Sequence, residues 1–161
     1  MLKLLPGPVH RMALRVAHSV RLRWWRLTGK VVRGCNVIAA NHAGQIVLVR
    51  HSYHLNGLWM LPGGGLDKGE DLLDAARREL AEEVGCALAS PCHITTMTFD
   101  WNTWTNVIEL VAGMTSDAPK PDGREIAASG FFDPRALPDP TSKPAQAMIA
   151  RWLDHQNGNS A

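Results

Sequence analysis

Hydrophobic periodicity divides the chain into three predicted helices and a series of short strands. Apolar residues recur at helical spacing in residues 9–28, 71–84 and 142–155, which predicts one buried face on each helix. The segment Ile46–Val49 has no polar position and is expected to be buried on both faces of a sheet. Runs rich in β-branched and aromatic residues predict strands at 31–40, 45–51, 58–61, 87–99, 104–114 and 125–132.

Turn residues between these elements predict how the chain is organised. Asn41-His42-Ala43-Gly44 separates the first two strands, which are therefore expected to form a hairpin. The segment 115–124 contains two prolines and a glycine and predicts a flexible loop. The chain is accordingly divided into a helical extension at 1–30, one folded domain at 31–156 and a short tail at 157–161.

The middle helix carries the pattern with the most chemical content. Asp71 is a predicted N-cap, and Gly85 is a predicted left-handed stop. Glu79, Glu82 and Glu83 lie three and four positions apart, so their carboxylates are expected on one side of the helix. Oxygen-only clusters suit hard cations such as Mg²⁺ or Mn²⁺, whereas a solvated acidic surface is the alternative. Arg78 precedes Glu82 by four residues and is expected to hold that carboxylate.

The spacing of this segment resembles the signature box of the Nudix hydrolases. Gly64, Glu70, the run Arg78-Glu79-Leu80, the pair Glu82-Glu83 and Gly85 all stand at the family's intervals. The one departure is Cys86, where the family usually has Val, Ile or Leu, and a small buried thiol leaves the chemistry unchanged. The resemblance implies an α/β/α sandwich with a mixed, curved sheet, to which the N-terminal helix at 1–30 is an addition.

The resemblance also implies an activity and assigns roles. Such enzymes cleave a diphosphate bond in a nucleoside diphosphate linked to another moiety, with Mg²⁺ or Mn²⁺. Glu70, Gly64 and Gly85 match residues that support the geometry. The implied metal ligands are Glu79, Glu82, Glu83 and the carbonyl of Gly63; the implied catalytic residues are Arg78, Glu79, Glu82 as first choice of general base, and Glu125 as second choice.

Four residues are candidates for contact with the part of the substrate beyond the diphosphate. Trp101 lies in the predicted turn at 100–103 and Trp104 follows it; both would stack on a nucleobase, although ordinary edge packing is an equal alternative. His51 and Tyr53 are further candidates for substrate contact in the polar loop after the second strand. Glu125 has the alternative of being a solvated loop carboxylate.

Charge and composition bear on the binding partners and the cellular setting of the protein. Net charge is only +2, so overall charge argues against nucleic acid. No acidic residue precedes Asp67, and the basic amphipathic helix at 9–28 would contact a membrane surface or RNA, or pack on this domain or in a homodimer. Three scattered cysteines indicate a reducing, cytoplasmic setting, no apolar run reaches the length of a membrane span, and prolines interrupt any apolar leader.

Three other classes of function remain open at this point. A nucleotide or ADP-ribose sensor on the same fold would usually lack glutamates of the box, and here all are present. An enzyme that removes a cap or diphosphate from an RNA 5′ end would use the basic helix. An isomerase on the same scaffold would need a catalytic cysteine, and none of the three stands where that role is supported.

Overall fold

The computed structural model describes residues 31–52, 57–101, 104–123 and 125–158, with only the backbone described at Trp101 and Trp104. The predicted helix at 9–28 lies outside these ranges. Within them the chain forms the following elements: β1 Val31–Ala40, β2 Ile46–His51, β3 Trp59–Met60, β4 Gly63–Gly65, α1 Leu72–Val84, β5 Ala89–Trp101, β6 Trp104–Met114, β7 Ile126–Phe132 and α2 Lys143–Gly158.

The strands form one mixed sheet, as the resemblance implies. Its path runs β3-β2-β1-β6-β5, while β4 pairs with β1 and β7 pairs with β2. The pairing of β1 with β6 is parallel and continuous from Val31↔Thr105 to Ala40↔Met114. The other strand pairs are antiparallel. The parallel pairing requires a long crossover, which the chain makes through β2, β3, β4, α1 and β5.

The predicted hairpin of β1 and β2 forms only at its turn. Asn41 closes that turn, since its side-chain oxygen accepts hydrogen bonds from the Ala43 and Gln45 amides at 3.0 Å. Ala40↔Ile46 is the one register pair between the two strands. Beyond it they separate, and the amide of Val37 donates instead to the carbonyl of Pro62 at 2.8 Å. The predicted hairpin is therefore present but short, because the segment before β4 enters the gap between the strands.

Of the two described helices, α1 covers one face of the sheet and α2 covers the other. Alternate residues of β1 and β2 point to opposite faces, so each strand contributes to both cores. Ile46 to Val49 are all fully buried, which confirms the prediction for that run. The α1 side contains Cys35, Val37, Val47, Val49, Ala75, Ala76, Leu80, Val84, Val111 and Ile126. The α2 side contains Ile38, Ile46, Leu48, Leu110, Met148, Ile149 and Trp152.

The C-terminal helix is longer than the periodicity predicted. Ser142 caps it, with its hydroxyl accepting from the Ala145 amide at 3.3 Å, and the helix continues to Gly158. The predicted tail at 157–161 thus begins inside the helix. In the described part of the chain, neither helix combines the length and apolar character needed to cross a bilayer.

Candidate active site

Helix α1 is positioned by the caps that the sequence predicts. The Asp71 carboxylate accepts from the amides of Leu73 at 2.9 Å and Asp74 at 3.3 Å. Gly85 ends the helix with φ 68°, and its amide donates to the carbonyl of Ala81 at 3.0 Å. Satisfying these end groups stabilises the helix by about 1 kcal/mol at the N-cap alone. The caps set which turns of the helix lie over the sheet.

The glycine turn is part of the sheet. Gly63 to Gly65, predicted as a turn, form β4 and pair with β1. Gly63 has φ 149°, and a Cβ built on it would overlap the carbonyl oxygen of Cys35. The Asn36 side chain donates to the carbonyl of Leu61 at 3.1 Å, which helps to hold the approach to the turn. Only glycine therefore permits the loop to lie this close to β1.

Glu83 is the most buried of the three glutamates Glu79, Glu82 and Glu83, which form the acidic cluster of α1. Its side chain is 10 % exposed, and Oε1 lies 3.9 Å from Nε2 of His51. The amide of Gly63 donates to Oε2 at 3.1 Å. Burial raises the pKa of Glu83 to about 8 against the effect of that hydrogen bond, and the charges of Glu79, Glu125 and Asp122 raise it further.

Glu79 lies against the second glycine of the turn. A Cβ on Gly64 would approach Oε1 of Glu79 to 2.5 Å, so the carboxylate occupies the space that a side chain would need. Its side chain is 13 % exposed and accepts from Nη1 of Arg78 at 2.8 Å. Burial raises the pKa of Glu79, whereas the bond to Arg78 acts to lower it.

Arg78 joins this cluster to the start of the box. Its Nε and Nη2 donate to the two carboxylate oxygens of Glu70 at 2.7 and 2.8 Å. This bidentate pair lowers the pKa of Glu70 to about 2 and raises the pKa of Arg78. The expected partner, Glu82, lies farther away at 3.6 Å, and its side chain is 64 % exposed. Arg78 therefore supports Glu70 and Glu79 more directly than it supports Glu82.

The charge of Glu125 contributes to the raised pKa of Glu83, and a role for Glu125 as a metal ligand or base stays a prediction. Asp122 anchors its backbone, since Oδ1 accepts from the amides of Glu125 at 3.0 Å and Ile126 at 2.8 Å. The carbonyl of Glu125 accepts from the amide of Ser52 at 2.7 Å. The sequence interpretation missed Asp122, although an aspartate shortly before a strand is a recognised turn signal.

The predicted substrate contacts are only partly located. His51 is buried behind Glu83 and does not lie on an open surface. Trp101 and Trp104 pair with each other as the last register of β5 and β6. Trp101 is thus a strand residue and not a turn residue as predicted, whereas Trp104 begins β6 as predicted. Tyr53 lies outside the described residues. A role for these four residues in substrate binding stays a prediction.

The donor chemistry of the cluster fits a hard divalent cation. Glu79 and Glu83 present only oxygen, and a positive charge beside them would offset the burial that raises both pKa values. In the described parts of the chain, no three His, Cys, Asp or Glu side chains form a closed coordination set. Glu82 points to solvent while Glu79 and Glu83 face the glycine turn. A metal held by all three glutamates would therefore need the exposed Glu82 side chain to turn inward.

Comparison with known proteins gives consistent results. The profile of the NUDIX domain matches residues 30–153. Over 121 residues the chain is 27 % identical to "NAD-capped RNA hydrolase NudC" of Vibrio parahaemolyticus, covering 74 % of this chain and 46 % of that one. Over 60 residues it is 43 % identical to "RNA pyrophosphohydrolase" of Bartonella bacilliformis, covering 33 % of this chain and 35 % of that one. The chain thus spans a third to a half of the length of these curated relatives.

Solved structures show the same fold. The MutT NUDIX hydrolase of Burkholderia pseudomallei superposes with a TM-score of 0.68 at 24 % identity, covering 76 % of this chain and 98 % of that one. The NUDIX domain of Shewanella oneidensis NrtR, solved with ADP ribose, gives a TM-score of 0.67 at 18 % identity, covering 79 % and 89 %. With the profile match covering most of the sequence and the box residues gathered around the glycine turn, the chain belongs to the NUDIX domain family.

Proposed function

We propose that this chain is a metal-dependent hydrolase that cleaves the phosphoanhydride bond of a nucleoside diphosphate linked to another moiety. The observation that carries the proposal is the placement of Glu79 and Glu83 against Gly64 and Gly63. Buried carboxylates at a backbone turn are costly unless a cation compensates them. Cations held by these carboxylates beside the glycine turn would attract an anionic substrate.

Mg²⁺ or Mn²⁺ would be held by Glu79, Glu82, Glu83 and the carbonyl of Gly63, and would supply charge neutralisation at the phosphates and a more acidic water. Arg78 holds the Glu79 carboxylate at 2.8 Å and so limits its rotation. Glu82 is exposed and is our first choice for accepting the proton of the attacking water, with Glu125 as the second choice. Glu83, buried beside Gly63, fixes the turn from below.

Glutamine substitutions on α1 test this proposal. Glu82→Gln and Glu83→Gln are expected to lower kcat by about 100-fold or more, since each removes a charge from the reacting site. Asp74→Asn is the matched control, because Asp74 is an exposed carboxylate on the same helix that pairs with Arg77. Turnover is measured by phosphate release from a panel of nucleoside diphosphate derivatives with MgCl₂ or MnCl₂.

Metal uptake provides a readout independent of turnover. Mn²⁺ titration followed by electron paramagnetic resonance should show bound metal in the wild type and in Asp74→Asn, and weakened binding in Glu83→Gln. Retention of metal-dependent turnover by both Glu82→Gln and Glu83→Gln would contradict the proposal. So would binding of a nucleotide by the wild type with no cleavage of any panel member, which is the behaviour of a sensor.

A second candidate is cleavage at the 5′ end of an RNA. It is favoured by the basic segment at 1–30, which contains seven Lys or Arg residues and no acidic residue, and by relatives named for activities on RNA. The chemistry at α1 would be the same, and the basic segment would contact phosphates along the strand. A steep fall of RNA affinity with salt, abolished by deletion of 1–29, supports this candidate. Equal affinity of the full and shortened chains for RNA contradicts it.

A further inference from the structure

A row of paired residues leads from the glycine turn across the sheet. Gly64 pairs with Cys35, Cys35 pairs with Glu109, and Glu109 pairs with Thr96. Residues directly opposite one another in a sheet point to the same face. Cys35 belongs to the core under α1, so Glu109 and Thr96 lie on the α1 side. With strands about 4.8 Å apart, Glu109 lies roughly 10 Å from Gly64.

The Glu109 carboxylate is held in a defined position. Its Oε2 accepts from the hydroxyl of Thr96 at 2.6 Å and contacts Nε2 of His93 at 2.9 Å. Among the described residues, Oε1 makes no hydrogen bond. A carboxylate fixed by two partners through one oxygen presents the other as a preorganised acceptor.

The row passes from covered to open surface. Cys35 is buried under α1, Glu109 is 17 % exposed and His93 is 43 % exposed. The next polar positions toward the end of β5 and β6 continue this face, where Thr105 donates to Asp100 at 2.7 Å. Within this row of paired residues, Glu109 is thus the first charged side chain after the turn.

Resting on the proposed function, we propose that Glu109 determines specificity by accepting a hydrogen bond from the nucleoside of a substrate whose diphosphate lies at Gly64 and Glu79. A separation of about 10 Å suits a nucleoside joined to its diphosphate through the 5′ carbon. The negative charge of Glu109 repels additional phosphate and favours a neutral donor. The donor is a ribose hydroxyl or a base N–H, and Thr96 and His93 act as positioning residues for the carboxylate.

The test compares Glu109→Gln with Asp154→Asn, an exposed carboxylate on α2 on the other side of the sheet. Calorimetry with Mg²⁺ measures binding of ADP, 2′-deoxy-ADP and GDP. Loss of a hydrogen bond to a charged acceptor is expected to weaken binding by about 10-fold or more in Glu109→Gln and leave Asp154→Asn unchanged. For hydrolysed substrates, KM should rise while kcat stays within about threefold.

The ligands distinguish the two donors. If a ribose hydroxyl is bound, the wild type should bind 2′-deoxy-ADP as weakly as Glu109→Gln binds ADP. If a base N–H is bound, the wild type should discriminate GDP from ADP, and Glu109→Gln should lose that discrimination. Thr96→Val should weaken the same ligand by a smaller factor, since it frees the carboxylate without removing it.

Two outcomes overturn the inference in different ways. Wild-type affinity and KM in Glu109→Gln for every nucleotide would overturn it while the proposed function stands. A parallel fall of kcat and melting temperature, with no change in nucleotide preference, would assign Glu109 a structural role only. If Glu82→Gln and Glu83→Gln keep full turnover, the proposed function fails, and the nucleotide-binding comparison still decides the role of Glu109.

Discussion

The Glu79 carboxylate occupies the space that a side chain at Gly64 would fill, with Oε1 only 2.5 Å from an ideal Cβ at that position. The contact explains why a glycine is required there in steric terms. It also means that the position of one acidic side chain of α1 depends on the absence of one methyl group on β4.

Gly64→Ala is therefore expected to displace Glu79 and lower kcat by about 100-fold, as small misplacements of reacting groups do. Overpacking should also lower the free energy of unfolding by roughly 1–3 kcal/mol. Gly65→Ala is the matched control, since a Cβ there meets nothing within 4 Å. Steady-state kinetics and thermal melts of the two variants measure both effects. Equal kcat in Gly64→Ala and Gly65→Ala would show that displacing Glu79 does not affect catalysis.

Arg78→Lys should be far more damaging than Arg77→Lys. Arg78 donates through three nitrogens to Glu70, Glu79 and the carbonyl of Gly65, whereas the ion-pair partner of Arg77 among the described residues is the exposed Asp74. A lysine ammonium cannot reproduce the planar bidentate geometry. We expect kcat to fall by about 10–100-fold in Arg78→Lys and to stay near the wild-type value in Arg77→Lys. Similar kinetics for the two variants would remove Arg78 from the active geometry.

Lowering the pH should reduce the contribution of the Glu70–Arg78 pair to the free energy of unfolding. The pKa of Glu70 is lowered from 4.5 to about 2 by hydrogen bonds from Arg78, so the folded state binds fewer protons at this site than the unfolded state. Its stabilisation is present above pH 4.5 and is lost as the pH falls toward 2. The difference in unfolding free energy between the wild type and Glu70→Gln should shrink across that range.

Urea denaturation at pH 6, 4 and 3 measures this change. Asp74→Asn serves again as the control, because an exposed pair such as Asp74–Arg77 contributes little at any pH. A difference between wild type and Glu70→Gln that stays constant with pH would show that the pair does not perturb Glu70.

The three cysteines should differ sharply in reactivity. All are free, but Cys35 and Cys86 are buried and Cys92 is exposed. Burial raises the pKa of Cys35 to about 11 and also raises that of Cys86, which keeps both as unreactive thiols. Ellman's reagent should label one thiol rapidly in the native protein and three after denaturation. Cys92→Ser should abolish the rapid phase, and its persistence would place another cysteine at the surface.

Local sequence signals predicted the elements well where the deciding contacts are local. The bounds of α1 follow from Asp71 and Gly85, and the burial of Ile46–Val49 follows from an uninterrupted apolar run. The spacing of the box located Glu79 and Glu83 beside the glycine turn. The caps and the apolar run depend on residues close together in the sequence, whereas the contact of Glu83 with Gly63 spans 20 positions and was implied by the family resemblance.

The sequence interpretation failed where long-range pairing decides the outcome. The turn at Asn41 correctly indicated that β1 and β2 are antiparallel partners, but it did not reveal that most of β1 pairs with β6 and β4. Helical spacing placed three glutamates on one side and did not distinguish the exposed Glu82 from the buried Glu83. The Glu109–Thr96 contact, 13 positions apart in sequence, depends on strand register that no local pattern reveals.

The segment before β4, which lies between β1 and β2, affects how cooperatively the domain unfolds. Val37 donates its amide to Pro62, and the three glycines that follow are themselves rungs of the sheet. The glycine turn cannot unfold locally without breaking its hydrogen bonds to β1. The active site is therefore expected to unfold in the same cooperative transition as the whole domain. Amide hydrogen exchange at Val37 should report whole-molecule opening, and activity in urea should vanish together with circular dichroism and not before it.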